Sequence, residues 1–422
     1  MNFQLLSTVQ TIAMRHHTPI LLVGGAVRDW LLGKPVHDYD IGVQGDVIRL
    51  SRNIANQLNG AFYVMDAERG TTRVILPDTV LDFAACRGKT WEEDLRARDF
   101  TVNAIGFDLA KWVATPNPKP PIQNPKFLFD PLNGYDDLTH KNIRMCAPVA
   151  ISDDPVRALR AIRMATVLQA TLAPETQQAI LNVRLINDKI SIERLRDELM
   201  KILALPDALP AAQNLMSFGL LPQLLPNLPW QADHSINQAL RPLASHVGLN
   251  EALHKQLNQA TANERTRLSI LRLTVLLFHA ASTNLALKLA QTLRLSNDEN
   301  LQIRHVLTKM PAVADILAQS GLAQEQLLYR FIQQTGQCAP EIFWLAQLRI
   351  PNLKTHLLIE RYFAHYAPDL APPPLLQGSD LIEMGYKPGP IFGRLLDAAR
   401  EAQMVGQIHT HAEAVALVKA LK

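Results

Sequence analysis

The chain has 422 residues, of which 48% are hydrophobic and 19% are charged. This length predicts about two to four domains, and the composition excludes a disordered chain and a small disulfide-stapled scaffold. The formal net charge of +3 allows an acidic partner such as a nucleic acid, but it is far too small for a nonspecific polycation.

The cysteines and the apolar segments favour an intracellular protein. Cys86, Cys146 and Cys338 lie far apart and lack CxxC spacing, which argues against a disulfide framework or a cysteine zinc site and fits a reducing cytoplasm. The first residues show no secretory signal pattern. The most apolar stretch, 268–293, is interrupted by Arg272 and other polar residues. Because such residues are costly at bilayer depth, we expect no membrane span and a cytoplasmic protein.

The first 145 residues alternate between short apolar runs and helical patterns. Ile20–Val23 predicts a strand that ends in Gly24-Gly25, and residues 27–32 then predict a helix. Four further runs have strand-like content: 39–43, 61–65, 71–76 and 79–84. A turn at Pro77-Asp78 joins the last two runs, so we expect a mixed sheet.

The remainder of the chain is predicted to be helical. A proline-rich segment at 114–131 is incompatible with helix interiors and central strands and precedes the change. From Asp153 onward, apolar residues recur at three- and four-residue steps, and a second proline cluster at 371–376 is typical of a stiff linker. We therefore predict an α+β fold in four parts: a mixed-sheet domain at 1–145, a helical neck at 146–205, a helical body at 206–370 and a small helical tail at 371–422.

Two aspartates in HDYDIGV, Asp38 and Asp40, are candidate metal ligands. They are two residues apart on a predicted strand, so both carboxylates point to the same face of the sheet. Neighbouring carboxylates repel one another when ionised, and hard oxygen ligands with open positions favour Mg²⁺ together with phosphate groups. The alternative for an isolated pair is a surface turn with two solvated aspartates. The residues around this pair therefore decide between a metal site and a surface turn.

The Gly24-Gly25 pair joins the first strand to the first predicted helix. Glycine allows a ligand to approach the backbone closely, so backbone N–H groups and the helix N-terminus can face a phosphate chain, with Arg28 adding charge. A tight turn in which Arg28 binds a neighbouring carboxylate such as Asp29 fits equally well. The third glycine of a dinucleotide-binding fingerprint is missing, and the GK at 33–34 lacks the remainder of a P-loop. Both of those nucleotide-binding folds are excluded.

Taken together, LLVGGAVRDWLLGKPVHDYDIGV resembles the signature of nucleotidyltransferases of the DNA polymerase β superfamily, in particular the tRNA nucleotidyltransferase and poly(A) polymerase family. Later segments resemble successive motifs of the same family: RDFTVNAIGFD at 98–108, FDPLNGYDDLTHKNIR at 129–144, DDPVRALRAIRMA at 153–165 and ERLRDELMKIL at 193–203. The segment at 378–396 resembles the C-terminal element of bacterial members, whereas 210–370 is similar only in its helical character.

The resemblance implies a reaction and its catalytic residues. Such enzymes add C and A nucleotides to the 3′ end of tRNA from CTP and ATP, without a template, and release pyrophosphate. By resemblance, residues 1–145 form the catalytic head, in which Asp38 and Asp40 bind Mg²⁺ and Asp82 is a third catalytic carboxylate that activates or orients the attacking 3′-hydroxyl. On sequence alone, Asp82 fits equally well as a strand-end aspartate that caps the backbone.

The resemblance also implies a set of nucleotide-binding residues. Those implied to bind the triphosphate and sugar are Gly25, Arg28, Arg98, Asp99, Asn103, Arg160 and Arg163. Asp154 and Arg157 are implied to read the base through paired hydrogen bonds that suit cytosine and adenine and reject guanine and uracil. The helical neck would present these two residues, and the body and tail would bind tRNA by shape and phosphate contacts.

The segment 153–165 is expected to form one helix, capped by Ser152 or Asp153 and with Pro155 in its first turn. Four charged residues would then recur every three residues on a drifting face: Asp154, Arg157, Arg160 and Arg163. On sequence alone, this stripe is also compatible with a solvated helix face or an internal salt-bridge ladder.

Departures from the family pattern leave alternatives open. The usual Arg-Arg-Asp is Ala97-Arg98-Asp99 here, and the preceding span, 86–97, is short. In the family a short span is typical of enzymes that add only CC and leave the terminal A to a separate A-adding enzyme. A poly(A) polymerase is a second alternative, although a long basic C-terminal extension is missing. A catalytically inactive RNA-binding protein is the third.

Phosphohydrolase activity of the HD type is not expected. It requires His, His-Asp and a further Asp as metal ligands. The pair His37-Asp38 is already assigned, and VLLFHAAS offers Ala280 after His279. The HTH at 409–411 has no third ligand near it in sequence and is expected to be a solvated turn.

Overall fold

A computed structural model describes residues 1–115, 125–186, 190–228, 244, 251–259, 265–278, 282–350 and 352–421. Half of the proline-rich segment, residues 116–124, and the His279-Ala280 pair lie outside these residues. The described part of the N-terminal region contains a seven-stranded mixed sheet with the strand order β3-β4-β5-β2-β1-β6-β7. The strands are β1 (Ile20–Val23), β2 (Asp38–Val43), β3 (Ala61–Asp66), β4 (Thr71–Leu76), β5 (Thr79–Ala85), β6 (Gly106–Phe107) and β7 (Leu128–Phe129).

The sheet confirms the predicted mixed topology and its five longer strands. β2 pairs parallel to β5, whereas β1 pairs antiparallel to β2 and β6. β3, β4 and β5 form an antiparallel meander whose last hairpin turns at Pro77-Asp78. Because Leu76 pairs with Thr79 across this turn, the hairpin fixes which residues of β4 and β5 share a face.

One face of the sheet packs against three helices: α1 (Phe3–Arg15), α3 (Val47–Leu58) and α5 (Leu109–Val113). Ile41 and Phe83 are buried on this face, and the buried hydroxyl of Thr72 donates to Ser51 of α3 at 2.8 Å. Phe3 and Phe107 pack with two tryptophans at the other end. This face is the main hydrophobic core of the head.

The opposite face is covered over only half of its width. Leu21 and Val23 of β1 pack there with Leu95 of α4 (Trp91–Arg96) in a small core. Trp91 lies directly over Gly42, where a Cβ atom would approach the indole ring to 3.0 Å. Glycine at this position therefore lets the tryptophan seal the covered half. The half formed by β2, β5, β4 and β3 carries the aspartates described below.

Helices dominate the described chain after the sheet, as predicted. Those up to residue 224 are α2 (Gly25–Leu31), α6 (Gly134–Thr139), α7 (Ala150–Asp153), α8 (Val156–Leu168), α9 (Pro174–Asn182), α10 (Ile192–Leu203), α11 (Leu209–Ser217) and α12 (Leu220–Leu224). A short parallel pair, β8 (Asn142–Ile143) and β9 (Thr171–Leu172), is an exception to the expected loss of strands.

The later helices are α13 (Glu251–Leu257), α14 (Arg267–Leu277), α15 (Thr283–Thr292), α16 (Asn297–Lys309), α17 (Ala312–Ala318), α18 (Gly321–Thr335), α19 (Ala339–Arg349), α20 (Thr355–Arg361), α21 (Gly378–Glu383), α22 (Pro390–Met404) and α23 (His411–Ala420). None of the helices in the described ranges combines the length and apolarity that crossing a bilayer requires. The last three helices enclose a small core of their own around Leu381, Leu395 and Val418.

The chain divides into two compact units, one formed by 1–198 with 214–224 and the other by 199–213 with 225–422. A buried arginine organises the second unit. Arg272 of α14 donates to the carbonyls of Leu203 at 2.8 Å, Pro206 at 2.9 Å and Leu205. Its charge therefore lies where the C-terminal carbonyls of α10 lack helical partners. Burial lowers the pKa of Arg272 to about 10.

Replacing Arg272 with methionine is expected to destabilise the second unit by about 3 kcal/mol or more, because buried carbonyls would lose their donors. Urea unfolding followed by circular dichroism measures the change. Arg304→Met, at an exposed position of α16, is the matched control and should change stability by less than about 0.5 kcal/mol. Equal stability of the two variants would show that Arg272 does not hold this junction.

Candidate active site

The aspartates singled out in the sequence lie in one row on the half-open face of the sheet. Asp40 of β2 pairs directly with Asp82 of β5, so the two side chains project from neighbouring strands that are about 4.8 Å apart. Asp38 lies two residues before Asp40 and pairs with Val80. The structure therefore brings all three predicted carboxylates together on one surface.

Gly24 and Arg98 complete the surroundings of Asp40. Gly24 has a φ of +79°, and a Cβ atom at this position would lie 2.7 Å from Asp40 Oδ2 and 3.3 Å from Arg98 Nη1. The site thus requires glycine both for its backbone conformation and for its space. Partial removal from water raises the pKa of Asp40, the positive charge of Arg98 opposes the shift, and the neighbouring carboxylates Asp82 and Asp38 add to it.

Asp82 is engaged by Arg73, which the sequence analysis did not single out. Arg73 Nε lies 2.7 Å from Asp82 Oδ1, and Arg73 Nη2 lies 2.9 Å from Oδ2. The two residues pair directly across the β4–β5 hairpin. Counting back from the Pro77-Asp78 turn was the signal that could have found this partner. Asp82 does not cap the backbone, as one alternative had it, but forms a side-chain ion pair.

Four of the predicted nucleotide-binding residues form one hydrogen-bonded chain. Arg28 Nη1 donates to Asn103 Oδ1 at 2.5 Å, and Asn103 Nδ2 donates to Asp99 Oδ1 at 3.1 Å. Arg160 Nη1 then donates to Asp99 Oδ2 at 3.1 Å. Arg28 also forms a bidentate pair with Asp29 at 2.8 and 2.9 Å, as the tight-turn alternative anticipated. Gly25 lies beside the same guanidinium.

Asp99 is buried within this chain. Burial by itself would raise the pKa of Asp99, but the charge of Arg160 and hydrogen bonds from Asn103 and the Phe100 N–H outweigh it and lower the pKa. The carboxylate is therefore held in its charged form by Arg160 and by two neutral N–H donors. It fixes Arg160 directly and, through Asn103, fixes Arg28.

The expected single helix at 153–165 is wrong at its start. Helix α7 ends at Asp153 and α8 begins at Val156, with Pro155 at its N-cap. Asp154 is non-helical, with φ −138° and ψ 87°, because a residue that precedes proline is disfavoured in the helical region. Asp154 therefore lies at a corner between two helices and not within the first turn of one.

Asp154 and Arg157 nevertheless lie close together at this corner. Arg157 Nε is 3.8 Å from Asp154 Oδ2, and the guanidinium donates to the carbonyls of Ala97 at 3.0 Å and Arg98 at 3.1 Å. Arg194 of α10 donates to Asp154 Oδ2 at 2.8 Å. Asp154 Oδ1 is buried and accepts no hydrogen bond from the residues that the structure describes. An unused acceptor is thus available beside a fixed guanidinium.

Two further residues join the site without having been assigned a role from the sequence. Glu198 Oε1 of α10 accepts a hydrogen bond from Arg163 Nε at 2.5 Å, and Glu198 Oε2 lies 3.9 Å from Arg160 Nε. Arg87 donates to the Ala97 carbonyl at 3.2 Å, and burial followed by the charge of Arg98 lowers its pKa. Arg87 thus brings a guanidinium to the backbone of Ala97, the residue that stands where the family pattern has its first Arg. The sequence alone does not indicate this contact, because it forms only when the chain folds.

This arrangement combines three features of the first unit. They are the row of Asp38, Asp40 and Asp82, which we call the carboxylate row, the Gly24 backbone beside Asp40, which we call the glycine corner, and guanidiniums fixed by protein carboxylates. Neighbouring carboxylates favour a bound cation, and guanidiniums with delocalised charge suit phosphate groups. A metal-assisted transfer of a phosphoryl or nucleotidyl group is the chemistry that such a site can perform.

Family models match two parts of the chain. Residues 20–144 match the model described as Poly A polymerase head domain. Residues 171–231 match the model described as Probable RNA and SrmB- binding site of polymerase A. The first match contains the sheet, the three aspartates and the Arg98–Asn103 segment.

Curated relatives match nearly the whole chain. A CC-adding tRNA nucleotidyltransferase of Synechocystis is 30% identical over 410 residues, covering 95% of this chain and 93% of the relative. An A-adding tRNA nucleotidyltransferase of Deinococcus radiodurans is 31% identical over 433 aligned positions, covering 94% of each. A solved structure titled as a complex of CCA-adding enzyme with ATP shares the fold, with a TM-score of 0.73 at 23% identity, covering 99% of this chain and 95% of that one.

Replacing Asp99 with asparagine is expected to lower the free energy of unfolding by about 2 kcal/mol or more at pH 7, because Arg160 would lose its buried counter-charge. The folded-state pKa of Asp99 is lowered, so its stabilisation is present above the unfolded pKa of about 3.9 and is lost as the pH falls through the folded value. The difference from wild type should therefore narrow below about pH 4.

Chemical unfolding of both proteins at pH 7, 5 and 3.5 measures this dependence. Asp78→Asn, at an exposed turn position, is the matched control and should show no pH-dependent difference. A stability gap that stays constant across the three pH values would contradict a charged Asp99.

Proposed function

This chain belongs to the tRNA nucleotidyltransferase and poly(A) polymerase family, and on that premise we propose that it builds the CCA end of tRNA. It transfers nucleotides from CTP and ATP to the tRNA 3′-hydroxyl, without a template, and releases pyrophosphate. The observation that carries this proposal is the direct pairing of Asp40 with Asp82, beside Gly24 and Arg98. Two acidic side chains at a glycine corner are suited to a metal-bound triphosphate on one side and an attacking hydroxyl on the other.

The carboxylate row fits a divalent metal, and we propose Mg²⁺ held by Asp38 and Asp40. The described residues contain no closed group of three or more His, Cys, Asp or Glu side chains. Mg²⁺ with substrate phosphates needs only one or two carboxylates and keeps its other positions for water and phosphate oxygens. The raised pKa of Asp40, caused by lost hydration and partly by Asp82 and Asp38, is what a bound cation would relieve. When bound, the metal would lower the pKa of the 3′-hydroxyl and stabilise the leaving pyrophosphate.

The chain's own residues would position the two substrates. We assign to Asp82 the orientation of the 3′-hydroxyl, because Arg73 holds both of its oxygens in a fixed direction. Triphosphate and sugar binding is assigned to Gly25, Arg28, Arg98, Asp99, Asn103, Arg160 and Arg163. All four guanidiniums of this set are already oriented by carboxylates. Little further side-chain entropy is therefore lost when the nucleotide binds.

Asp154 and Arg157 are proposed to select the base. Cytosine and adenine present an exocyclic amino donor, whereas guanine and uracil present a carbonyl oxygen at the corresponding place. The buried, unpartnered Oδ1 of Asp154 can accept from the amino group, but it would face another acceptor in guanine or uracil. Leaving such a buried group unpaired is heavily penalised.

CC addition without the terminal A is a second candidate, and the segment 86–97 favours it. Half of this segment forms α4, which Thr90 caps by accepting from the Glu93 N–H. Gln44 donates to the carbonyl of Lys89 at 3.4 Å, and Glu93 accepts from the N–H of Lys89 at 2.5 Å. No free length is left in this segment for an element that reshapes the pocket between CTP and ATP.

The helical parts are proposed to bind tRNA, with the neck at 146–205, the body at 206–370 and the tail at 371–422. The tail exposes basic side chains at Lys387, Arg394 and Lys419. Exposed cations suit the phosphates of double-helical RNA, which offers little base sequence to read. A cytoplasmic location, where tRNA and nucleotides are found, follows from this assignment and from three unpaired cysteines.

Asp40→Asn is expected to reduce nucleotide incorporation at least about a hundred-fold, because a metal-binding and charge-stabilising group is lost. The assay supplies CTP and ATP, separately and together with Mg²⁺, to tRNA transcripts that lack the CCA end or that end in C or CC, and sequences the products. Asp46→Asn is the matched control, since Asp46 caps α3 and asparagine caps a helix equally well.

The product ends decide between the candidates. Extension that stops at CCA supports the full reaction, and arrest at CC supports the second candidate. Extension only of transcripts that already end in CC would assign A addition, and long oligo(A) on any RNA would assign a poly(A) polymerase. A wild-type chain that binds RNA but incorporates nothing would contradict the proposal and leave a non-catalytic RNA-binding protein.

Asp154→Asn is expected to relax base selection. An amide can donate to the carbonyl oxygen of uracil or guanine, so the preference for CTP over UTP should fall by about 100-fold or more. Single-nucleotide incorporation with each of the four nucleotides gives the ratios of kcat/KM. Asp153→Asn, at the exposed neighbouring position, should keep the wild-type preference. Unchanged preference in Asp154→Asn would remove this residue from base selection.

A further inference from the structure

The open half of the carboxylate face continues beyond Asp82 to the edge of the sheet. Asp40, Asp82, Arg73 and Tyr63 are successive partners across β2, β5, β4 and β3. Ile75 lies two residues after Arg73 and therefore points to the same face. We refer to Tyr63, Arg73 and Ile75 as the edge platform. It begins directly beside the proposed catalytic carboxylate.

The edge platform exposes an aromatic and an aliphatic side chain on either side of Arg73. Tyr63 is 53% exposed and Ile75 is 40% exposed. On the opposite face of the same strands, Val74 is completely buried, and Thr72 bonds to α3. On β4, exposure is therefore confined to the face that carries the aspartates, whereas β3 at the sheet edge also exposes Val64 on the α3 side. Large apolar side chains left in water next to a reactive site indicate a binding surface.

The charge of the edge platform favours nucleobases over phosphates. The guanidinium of Arg73 is neutralised by its bidentate pair with Asp82, so little net positive charge remains for a phosphate. An aromatic ring, an aliphatic side chain and a planar guanidinium are the surfaces on which unpaired RNA bases stack.

We propose that the edge platform binds the bases of the unpaired tRNA 3′ end, immediately behind the nucleotide that carries the attacking hydroxyl. This inference rests on the proposed function, in which Asp82 orients that hydroxyl. On the Asp40 side of Asp82, the sheet is taken up by the glycine corner and then by the small core around Leu95. The RNA strand therefore leaves Asp82 in the other direction, over β4 and β3.

The spacing agrees with this path. Tyr63 lies two strands away from Asp82, which is a separation of about 10 Å. A base stacked on Tyr63 therefore belongs to the end of the same RNA chain and not to the incoming nucleotide. The edge platform would hold the primer end in place while the base-selecting residues act on CTP or ATP.

Kinetics with tRNA transcripts that end in the first C of the CCA end test the proposal, because such a transcript has an unpaired base directly behind the nucleotide that carries the attacking hydroxyl. Tyr63→Ala is expected to raise the KM for RNA by about 5- to 100-fold, the loss of one stacked base, while the KM for CTP and kcat at saturating RNA stay at the wild-type values. Tyr63→Phe keeps the ring and should behave like wild type. Val64→Ala is the matched control, because Val64 is 43% exposed on the same strand but pairs with Thr72 on the α3 side.

A fluorescence titration tests the contact without catalysis. Asp40→Asn protein, with and without Tyr63→Ala, is titrated with tRNA that ends in the first C of the CCA end and carries 2-aminopurine at the position before that C. Stacking on Tyr63 predicts quenching that Tyr63→Ala removes. The effect of Tyr63→Ala on RNA affinity should be equal at low and high salt, because stacking releases no counterions.

The outcomes separate this inference from the proposed function. If wild type extends tRNA while Tyr63→Ala leaves both the KM for RNA and the quenching unchanged, the edge platform is not an RNA-binding surface. If Tyr63→Ala instead dissociates a dimer in sedimentation and leaves the KM for RNA unchanged, the surface is a protein interface and the inference is overturned. If wild type extends no RNA, the proposed function fails, and the titration still decides the edge platform.

Discussion

Repulsion among three carboxylates on one sheet face is the constraint on which this site depends. Parallel pairing of β2 with β5 leaves Asp40 beside Asp82 whatever the rest of the chain does. Arg73 neutralises Asp82, and Arg98 approaches Asp40 across Gly24. The compensation is incomplete, since the pKa of Asp40 remains raised by lost hydration despite the charge of Arg98. Under the proposed function, this is the point of the surface at which a divalent cation, and with it a triphosphate, would bind.

The arginines around the row are held before any substrate arrives. Asp99 ties Arg160 to Asn103 and, through Asn103, to Arg28, while Glu198 binds Arg163. Under the proposed function, a phosphate chain would therefore bind guanidiniums whose directions are already set. Each of these guanidiniums would remain shared with a protein carboxylate.

Local sequence patterns were sufficient for the five longer strands and the carboxylates, but not for the two-residue strands or for the partners of those carboxylates. The alternation of β4 and β5 around Pro77-Asp78 predicted both strands, and the same hairpin register implied Arg73 opposite Asp82. Arg194 and Glu198 lie in a quoted motif, yet their contacts with Asp154 and Arg163 depend on how α10 packs against α8. Pattern alone does not give such packing. The helix break at Asp154 does not follow from capping at Ser152 or Asp153. It follows from the steric effect of Pro155 on the residue before it.

The short segment after β5 joins structure to specificity. Trp91 of α4 closes the covered half of the sheet over Gly42, and Asp94 of the same helix binds the guanidinium of Arg98 at 3.2 Å. These residues are therefore occupied in holding the sheet and the basic group nearest Asp40. A mobile element could not be accommodated there without releasing Arg98 from the carboxylate row. Under the proposed function, a change of preference from one nucleotide to the next would then arise at the corner formed by Asp154 and its partner Arg194, where one acceptor of Asp154 has no partner among the described residues.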